Sequence, residues 1–111
     1  MPSPPPSHSR LSREALSLLG RRIQLARKER RMSEKDLAAR VGIARSTLQR
    51  IENGDPTVAI GRVFEAAVIT GVDLFVPEAT SLAAEIRSTE ERLALMPAAV
   101  RASRRAVDDD F

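Results

Sequence analysis

The sequence predicts an all-α fold, and three observations support that prediction. Apolar residues recur every three or four positions in several separate stretches, which is the spacing of one face of a helix. Residues that favour helix starts precede these stretches, and glycines follow several of them. Aromatic residues make up 3% of the 111 residues, and Trp and Tyr are absent, so the core must consist mainly of Leu, Ile, Val and Ala.

The composition also excludes several classes of protein. The chain has no cysteine, which rules out disulfides and thiolate metal sites and leads us to expect a cytoplasmic protein. No apolar run approaches the roughly 18 residues of a membrane span, and the Pro- and Ser-rich start lacks the hydrophobic part of a signal peptide. Residues 1–11 are therefore predicted to be a disordered lead-in.

The charges are distributed unevenly along the chain. Residues 1–62 hold 13 of the 18 Lys and Arg residues and 6 of the 15 Asp and Glu residues, a net charge of +7. Residues 63–111 hold the other 5 basic and 9 acidic residues, a net charge of −4. This asymmetry predicts two surfaces for two partners, and the alternative is solvated charge without a partner.

Two helices are predicted in the basic part of the chain. The first is expected to begin at Ser12 as its N-cap and to end near Arg31, where cations suit a helix carboxyl end. The second begins after Ser33, which precedes a capping-box-like carboxylate, and ends at Gly42. Their predicted inner faces comprise Leu16, Leu19, Ile23 and Ala26, and Leu37, Ala38 and Val41.

Two further helices follow a tight turn. The stretch ARSTLQRIENG predicts a short helix that directs Leu48 and Ile51 inward and is terminated by Gly54. Thr57 is the predicted N-cap of the next helix, which ends at Gly71. The predicted inner face of that helix comprises Ile60, Val63, Phe64, Ala67 and Val68.

The last part of the chain is predicted to be an extension, residues 77–111, that follows a domain of residues 12–76. Residues 72–76 are apolar and fit either a short fifth helix or an extended edge segment. Thr80 or Ser81 is expected to cap a later helix that Pro97 interrupts, after which the chain is polar and predicted to be unfolded alone. The apolar stripe of that later helix comprises Leu82, Ile86 and Leu93.

The second and third helices, joined through residues 41–43, form a helix-turn-helix. This unit lays its second helix in the major groove of DNA, where exposed side chains near the amino end approach base edges. Arg suits guanine, Gln suits adenine, and small hydroxyls permit close approach. The predicted base contacts are Arg45, Ser46, Gln49 and Arg50.

At this point the chain resembles the XRE or Cro/repressor type of DNA-binding domain, from about Leu19 to Phe75. The resemblance lies in LGRRIQLARKERRMS, in DLAARVGIARSTLQRIENGDPTV and in the apolar fourth helix. It implies a compact five-helix, all-α domain with a C-terminal extension that is helical or partly disordered. It further implies phosphate contacts by Ser33, Lys35, Thr47 and Asn53.

The same resemblance implies one structural ion pair and contains two departures. Arg27 of the first helix would pair with Glu52 and hold it against the third helix. Ala44 stands where a capping hydroxyl is common, which is expected to weaken that cap by about 1 kcal/mol. Glu34 stands where Gln often contacts a phosphate, so we expect its carboxylate to turn aside or to limit affinity.

The C-terminal part resembles the tail of HipB-like antitoxins, on the run LFVPEATSLAAEIRSTEERLALMP, a basic patch and DDDF. This resemblance implies a homodimer that represses its own operon and inhibits a HipA-like kinase toxin. A charged peptide that ends in an aromatic residue often orders on a partner. The predicted partner-binding residues are Asp108, Asp109, Asp110 and Phe111, and the alternative is a frayed tail.

Three functions remain as hypotheses. The first is a homodimeric repressor that binds double-stranded operator DNA and acts as an antitoxin. The second is a stand-alone regulator, and the third is a protein-interaction module with secondary DNA binding. No enzyme, cofactor or metal site is expected, because the lone His lies in the lead-in and the carboxylates have neither a phosphate loop nor metal-ligand spacing. For dimerisation, the candidates are residues 74–76 and the Leu82, Ile86 and Leu93 stripe.

Overall fold

The computed structural model describes residues 7–77 and 81–97, and within these ranges the chain forms five helices and no strand. The prediction of an all-α fold is confirmed. The chain divides into two compact units, the first ending at Leu74 and the second beginning at Phe75. The helices are α1 (Arg10–Glu29), α2 (Glu34–Val41), α3 (Arg45–Glu52), α4 (Ile60–Thr70) and α5 (Leu82–Leu95).

Helices α1 to α4 share one aliphatic core. Ile23 of α1, Leu37 of α2 and Leu48 of α3 are completely buried, and each such side chain contributes about 1.5–3 kcal/mol. The predicted inner faces of α2 and α3 are confirmed. The buried core comprises Ile23, Leu37, Ala38, Val41, Leu48, Ile51, Val63, Ala66 and Ala67.

The first four helices end in the same hydrogen-bonded turn, in which a left-handed residue follows the last turn of the helix. In α3 the Asp55 amide donates to the Arg50 carbonyl over 2.9 Å, and Gly54 has a φ of 77°. Gly42 and Gly71 fill the equivalent places after α2 and α4, with φ values of 82° and 78°. After α1 the left-handed residue is Arg31, with a φ of 55°.

Helix α1 lies very close to the carboxyl end of α3. A Cβ atom at Gly20 would stand 2.8 Å from the Glu52 carbonyl oxygen and still closer to that of Ile51. Real side chains do not tolerate such distances from backbone, so glycine is required at this crossing. The consequence is that the end of α3 is fixed against α1.

Three sequence-based assignments were wrong at helix ends and on α4. The N-cap of α1 is Ser9, not Ser12, so residues 10 and 11 of the expected lead-in are helical. Thr57 does not cap α4, because the helix begins later with Ala59 as its N-cap and Thr57 bonds to Asp55 instead. Ile60 and Val68 are 67% and 60% exposed, since the buried face of α4 is centred on Ala66 and Ala67.

The segment after Gly71 resolves the alternative that the sequence left open. Residues 72–76 are not helical, and Leu74 is partly buried against the core, which leaves part of its surface for the dimer contact expected of it. Ser81 caps α5, and its Oγ accepts from the Ala84 amide over 3.2 Å. No residue of α5 is buried in this chain.

Some predictions lie outside the described residues. These are the structure of residues 1–6, a cap at Thr80, and the tail contacts of Asp108, Asp109, Asp110 and Phe111. Among the residues that are described, no helix combines the length and apolarity needed to span a bilayer. Within that same part of the chain, no group of three or more His, Cys, Asp or Glu side chains is arranged to hold a metal ion.

Candidate nucleic-acid interface

Helix α3 has a buried side and an exposed side, and the predicted base contacts lie on the exposed side. Leu48 and Ile51 enter the core, which fixes the rotation of the helix about its own axis. The turn through Gly42 holds α3 directly after α2, and these two helices pack on each other. The exposed residues are Arg45, Ser46, Gln49 and Arg50.

The amino end of α3 has no side-chain cap. Ala44 is the N-cap residue, and its methyl side chain cannot accept a hydrogen bond from the amides of the first turn. The free amides of this turn therefore keep their hydrogen-bonding capacity, as expected from the missing hydroxyl. An anion near this end would find both donors and the positive end of the helix dipole.

Glu34 binds two of the predicted base contacts. Its Oε2 accepts from Arg45 Nε and from Gln49 Nε2, each over 2.9 Å. The hydrogen bond from Arg45, followed by that from Gln49, lowers the pKa of Glu34 below its ordinary value. The carboxylate has thus turned toward the exposed side of α3, and it stays ionised at neutral pH.

A second carboxylate holds Arg50. The Arg50 Nε donates to Asp55 Oδ2 over 2.9 Å, and its Nη2 donates to the Thr57 hydroxyl. The hydroxyl and amide of Thr57 both donate to Asp55 Oδ1, over 2.6 and 2.7 Å. These bonds from Thr57, together with Arg50, lower the pKa of Asp55 to about 2.

The predicted phosphate contacts surround α3 but differ in their surroundings. Ser33 is the N-cap of α2, and its Oγ accepts from the Asp36 amide over 3.0 Å. Lys35 is exposed on the first turn of α2, and Asn53 is exposed at the carboxyl end of α3. Thr47 is half-buried, so only part of its surface is open to a ligand.

Arg27 and Glu52 form the ion pair that the resemblance implied, and it is buried. Arg27 Nε donates to Glu52 Oε2 over 2.7 Å, and Nη2 donates to Oε1 over 3.1 Å. Arg27 Nη1 also donates to the Met32 carbonyl over 3.0 Å. The hydrogen bond with Glu52 raises the pKa of Arg27, and both side chains are less than a tenth exposed. This bidentate pair joins α1 to α3 beneath the exposed surface.

Comparison with known families agrees with this geometry. The helix-turn-helix family model matches residues 23–76, which begins within α1 and extends past α4. This segment matches the XRE-type helix-turn-helix family. The match supports a DNA-binding transcriptional regulator, since the family is one of DNA-binding domains and not of enzymes. No curated protein matches the chain.

Sequence reasoning found the exposed side of α3 but missed the carboxylates that bind it. No role was predicted for Asp55 from the sequence, and Thr57 was predicted as a helix cap, whereas both bind Arg50. The signal was present in ENGDPT, because the glycine-terminated turn returns the chain toward residues one turn before it. Glu34 was recognised as unusual, but nothing local to it indicated Arg45 and Gln49 as its partners, 11 and 15 residues away.

Proposed function

We propose that the protein is a sequence-specific transcriptional repressor that binds double-stranded operator DNA as a homodimer. The observation that supports this most directly is the exposed row of long donors on a recognition helix whose rotation is fixed by buried Leu48 and Ile51. One such helix contacts only a few base pairs, so specificity requires two copies at half-sites about 34 Å apart. A repressor of this kind acts in the cytoplasm, on the DNA.

The proposed DNA-binding domain comprises residues 12–76, and residues 77–111 form an extension for dimer or partner contacts. Within the domain, Arg45, Ser46, Gln49 and Arg50 contact base edges. The backbone phosphates are contacted by Ser33, Lys35, Thr47 and Asn53.

When DNA binds, two arginines of α3 exchange their hydrogen-bond partners. Arg45 and Arg50 each release a partly exposed carboxylate and take up a base edge or phosphate. Exposed ion pairs contribute little to stability, whereas a bidentate base contact is worth about 1–3 kcal/mol, so the exchange favours the complex. Until then Glu34 and Asp55 hold the two guanidinium groups by hydrogen bonds.

Replacing the two arginines separately tests the proposal. An operator is first selected from a random duplex library with the wild-type chain, and binding is then titrated at several salt concentrations. Arg45→Ala and Arg50→Ala should each weaken operator binding by about 1–3 kcal/mol, and wild-type affinity should fall steeply with salt. The control, Arg87→Ala on α5, removes the same charge outside the helix-turn-helix and should bind normally. Operator affinity unchanged in both arginine variants would refute the proposed base contacts.

We further propose that the repressor is the antitoxin of a HipA-like kinase toxin and regulates the operon of the pair. The support is the resemblance of the C-terminal sequence and the acidic end DDDF, which suits a basic surface on a partner. The alternative functions are a stand-alone regulator and an interaction module with secondary DNA binding.

A truncation separates these alternatives. A chain that ends at Pro97 lacks Asp108, Asp109, Asp110 and Phe111 but retains all of the described helices. It should bind operator DNA as the wild type does and lose inhibition of the kinase encoded beside it, measured by phosphate transfer. Full inhibition by the truncated chain would remove the tail from the antitoxin mechanism. A flat response of DNA binding to salt would favour the interaction module.

A further inference from the structure

Helix α5 carries an apolar stripe that this chain does not bury. Leu82, Ile86 and Leu93 are 45%, 56% and 65% exposed. An isolated helix of 14 residues is marginal in water, because little hydrogen bonding offsets the cost of nucleation. A second surface that covers this stripe would therefore stabilise α5.

The spacing of the stripe is that of a coiled-coil seam. Leu82, Ile86, Thr89 and Leu93 follow one another at intervals of four, three and four, which places them at alternating d and a positions of a heptad. We name these four residues the α5 seam. The only polar group among their side chains is the Thr89 hydroxyl, which donates to the Glu85 carbonyl of its own helix over 2.8 Å. Burying the seam thus leaves no hydroxyl unsatisfied.

A groove extends the apolar surface of the seam. The residues that line it are Phe75, Val76, Leu82, Glu85, Ile86, Thr89 and Glu90. Phe75 is 86% exposed. The apolar surface offered to a partner is consequently wider than the helix stripe alone, which matters because two heptads form a short interface.

The charges that flank the seam select a partner and an orientation. Glu85 and Arg92 occupy the two g positions, and Glu90 occupies an e position. In an antiparallel pair of α5 helices, Leu82 lies opposite Leu93 of the second copy, and Glu85 lies opposite Arg92 of the second copy. Two-fold symmetry forms this ion pair twice. In a parallel pair, Glu85 would instead face Glu90 of the second copy and repel it.

We propose that α5 of a second copy of this chain covers the α5 seam, in an antiparallel pair closed by Glu85–Arg92 ion pairs at both ends. This inference rests on the proposed homodimer and specifies its surface. Because the seam contains only two heptads, association is expected in the micromolar range. Occupation of two half-sites on one operator then raises the effective concentration of the second copy.

A charge exchange tests the pairing in the full-length chain without DNA. Glu85→Arg places two arginines opposite each other, and Arg92→Glu places two glutamates opposite each other, so each variant should dimerise roughly tenfold more weakly at low salt. A mixture of the two variants restores opposite charges at both ends and should associate as well as the wild type. The measurement is sedimentation equilibrium over a range of concentrations.

The control is Glu91→Arg, which makes the same charge change at an f position facing away from the seam and should leave dimerisation within about twofold of the wild type. Far-ultraviolet circular dichroism checks that each variant keeps its helices. Stronger association of Glu85→Arg would indicate the parallel pair and overturn the proposal. A wild-type chain that stays monomeric at hundreds of micromolar, or charge variants that associate normally, would overturn it as well.

The proposed base contacts and the proposed α5 pairing can be refuted independently of each other. Arg45→Ala and Arg50→Ala should leave sedimentation unchanged, since neither residue belongs to the α5 seam. Conversely, Glu85→Arg should retain binding of a single half-site by each chain at high protein concentration. Loss of operator binding without a change in association would therefore contradict only the assigned base contacts.

Discussion

The two ends of helix α3 each carry an arginine–carboxylate ion pair, in two different environments. Glu52, at its carboxyl end, binds Arg27 in the interior, and both side chains are less than a tenth exposed. Arg45, at its amino end, binds Glu34 at the surface, where the arginine side chain is 67% exposed. Both pairs join a guanidinium to a carboxylate, but the interior pair is bidentate and shielded from water, whereas Arg45 donates a single hydrogen bond to Glu34 and is open to water and to other ions.

The difference in exposure between the two pairs indicates which arginines can exchange their carboxylate for a ligand. A buried guanidinium that loses its carboxylate has no water to replace it, so Arg27 is held to one partner. An exposed guanidinium exchanges its carboxylate for another anion at little cost, because water screens both states. Arg45 and Arg50 belong to this second group, which agrees with the proposal that they contact DNA, whereas Arg27 stabilises the fold.

The largest expected effect comes from breaking the buried pair. Glu52→Ala leaves the Arg27 charge without its bidentate partner and should lower the free energy of unfolding by about 3–5 kcal/mol. Urea denaturation followed by circular dichroism measures this loss. Glu34→Ala is the matched control, since it removes an arginine-bound carboxylate from the surface and should change the midpoint far less. Equal losses in the two variants would contradict the distinction between the pairs.

A smaller effect is expected at the surface pair, where removing the carboxylate charge should increase the affinity for DNA. Glu34→Gln removes a negative charge from the proposed DNA-binding surface and frees Arg45 from an ionic partner. DNA affinity should rise by about three- to tenfold at low salt, and the gain should shrink as salt screens the charge. Glu65→Gln, which removes the same charge from an exposed position on α4, should bind as the wild type does. Unchanged or weaker binding by Glu34→Gln would instead show that its carboxylate positions Arg45 and Gln49 for recognition.

Most of the first unit was predictable from local sequence. The inner faces of α2 and α3 follow from the three- and four-residue spacing of Leu37, Val41, Leu48 and Ile51, and all four are buried. On α4 the same reasoning failed for Ile60 and Val68, because the face that packs is lined by small residues such as Ala66. Alanines fit a close crossing between helices. A prediction from the spacing of apolar residues nevertheless favours the larger side chains, so it placed the inner face of α4 on Ile60 and Val68.

The sequence by itself determined the helices, their glycine-terminated turns and the side of α3 that carries the donors, because each depends on residues within one or two turns. Only the tertiary structure decided which carboxylates Arg45 and Arg27 bind. Glu34 reaches Arg45 and Gln49 across the turn between two helices, and Glu52 reaches Arg27 across 25 residues of chain. These contacts depend on how the helices pack, and helix packing is set by the whole core at once.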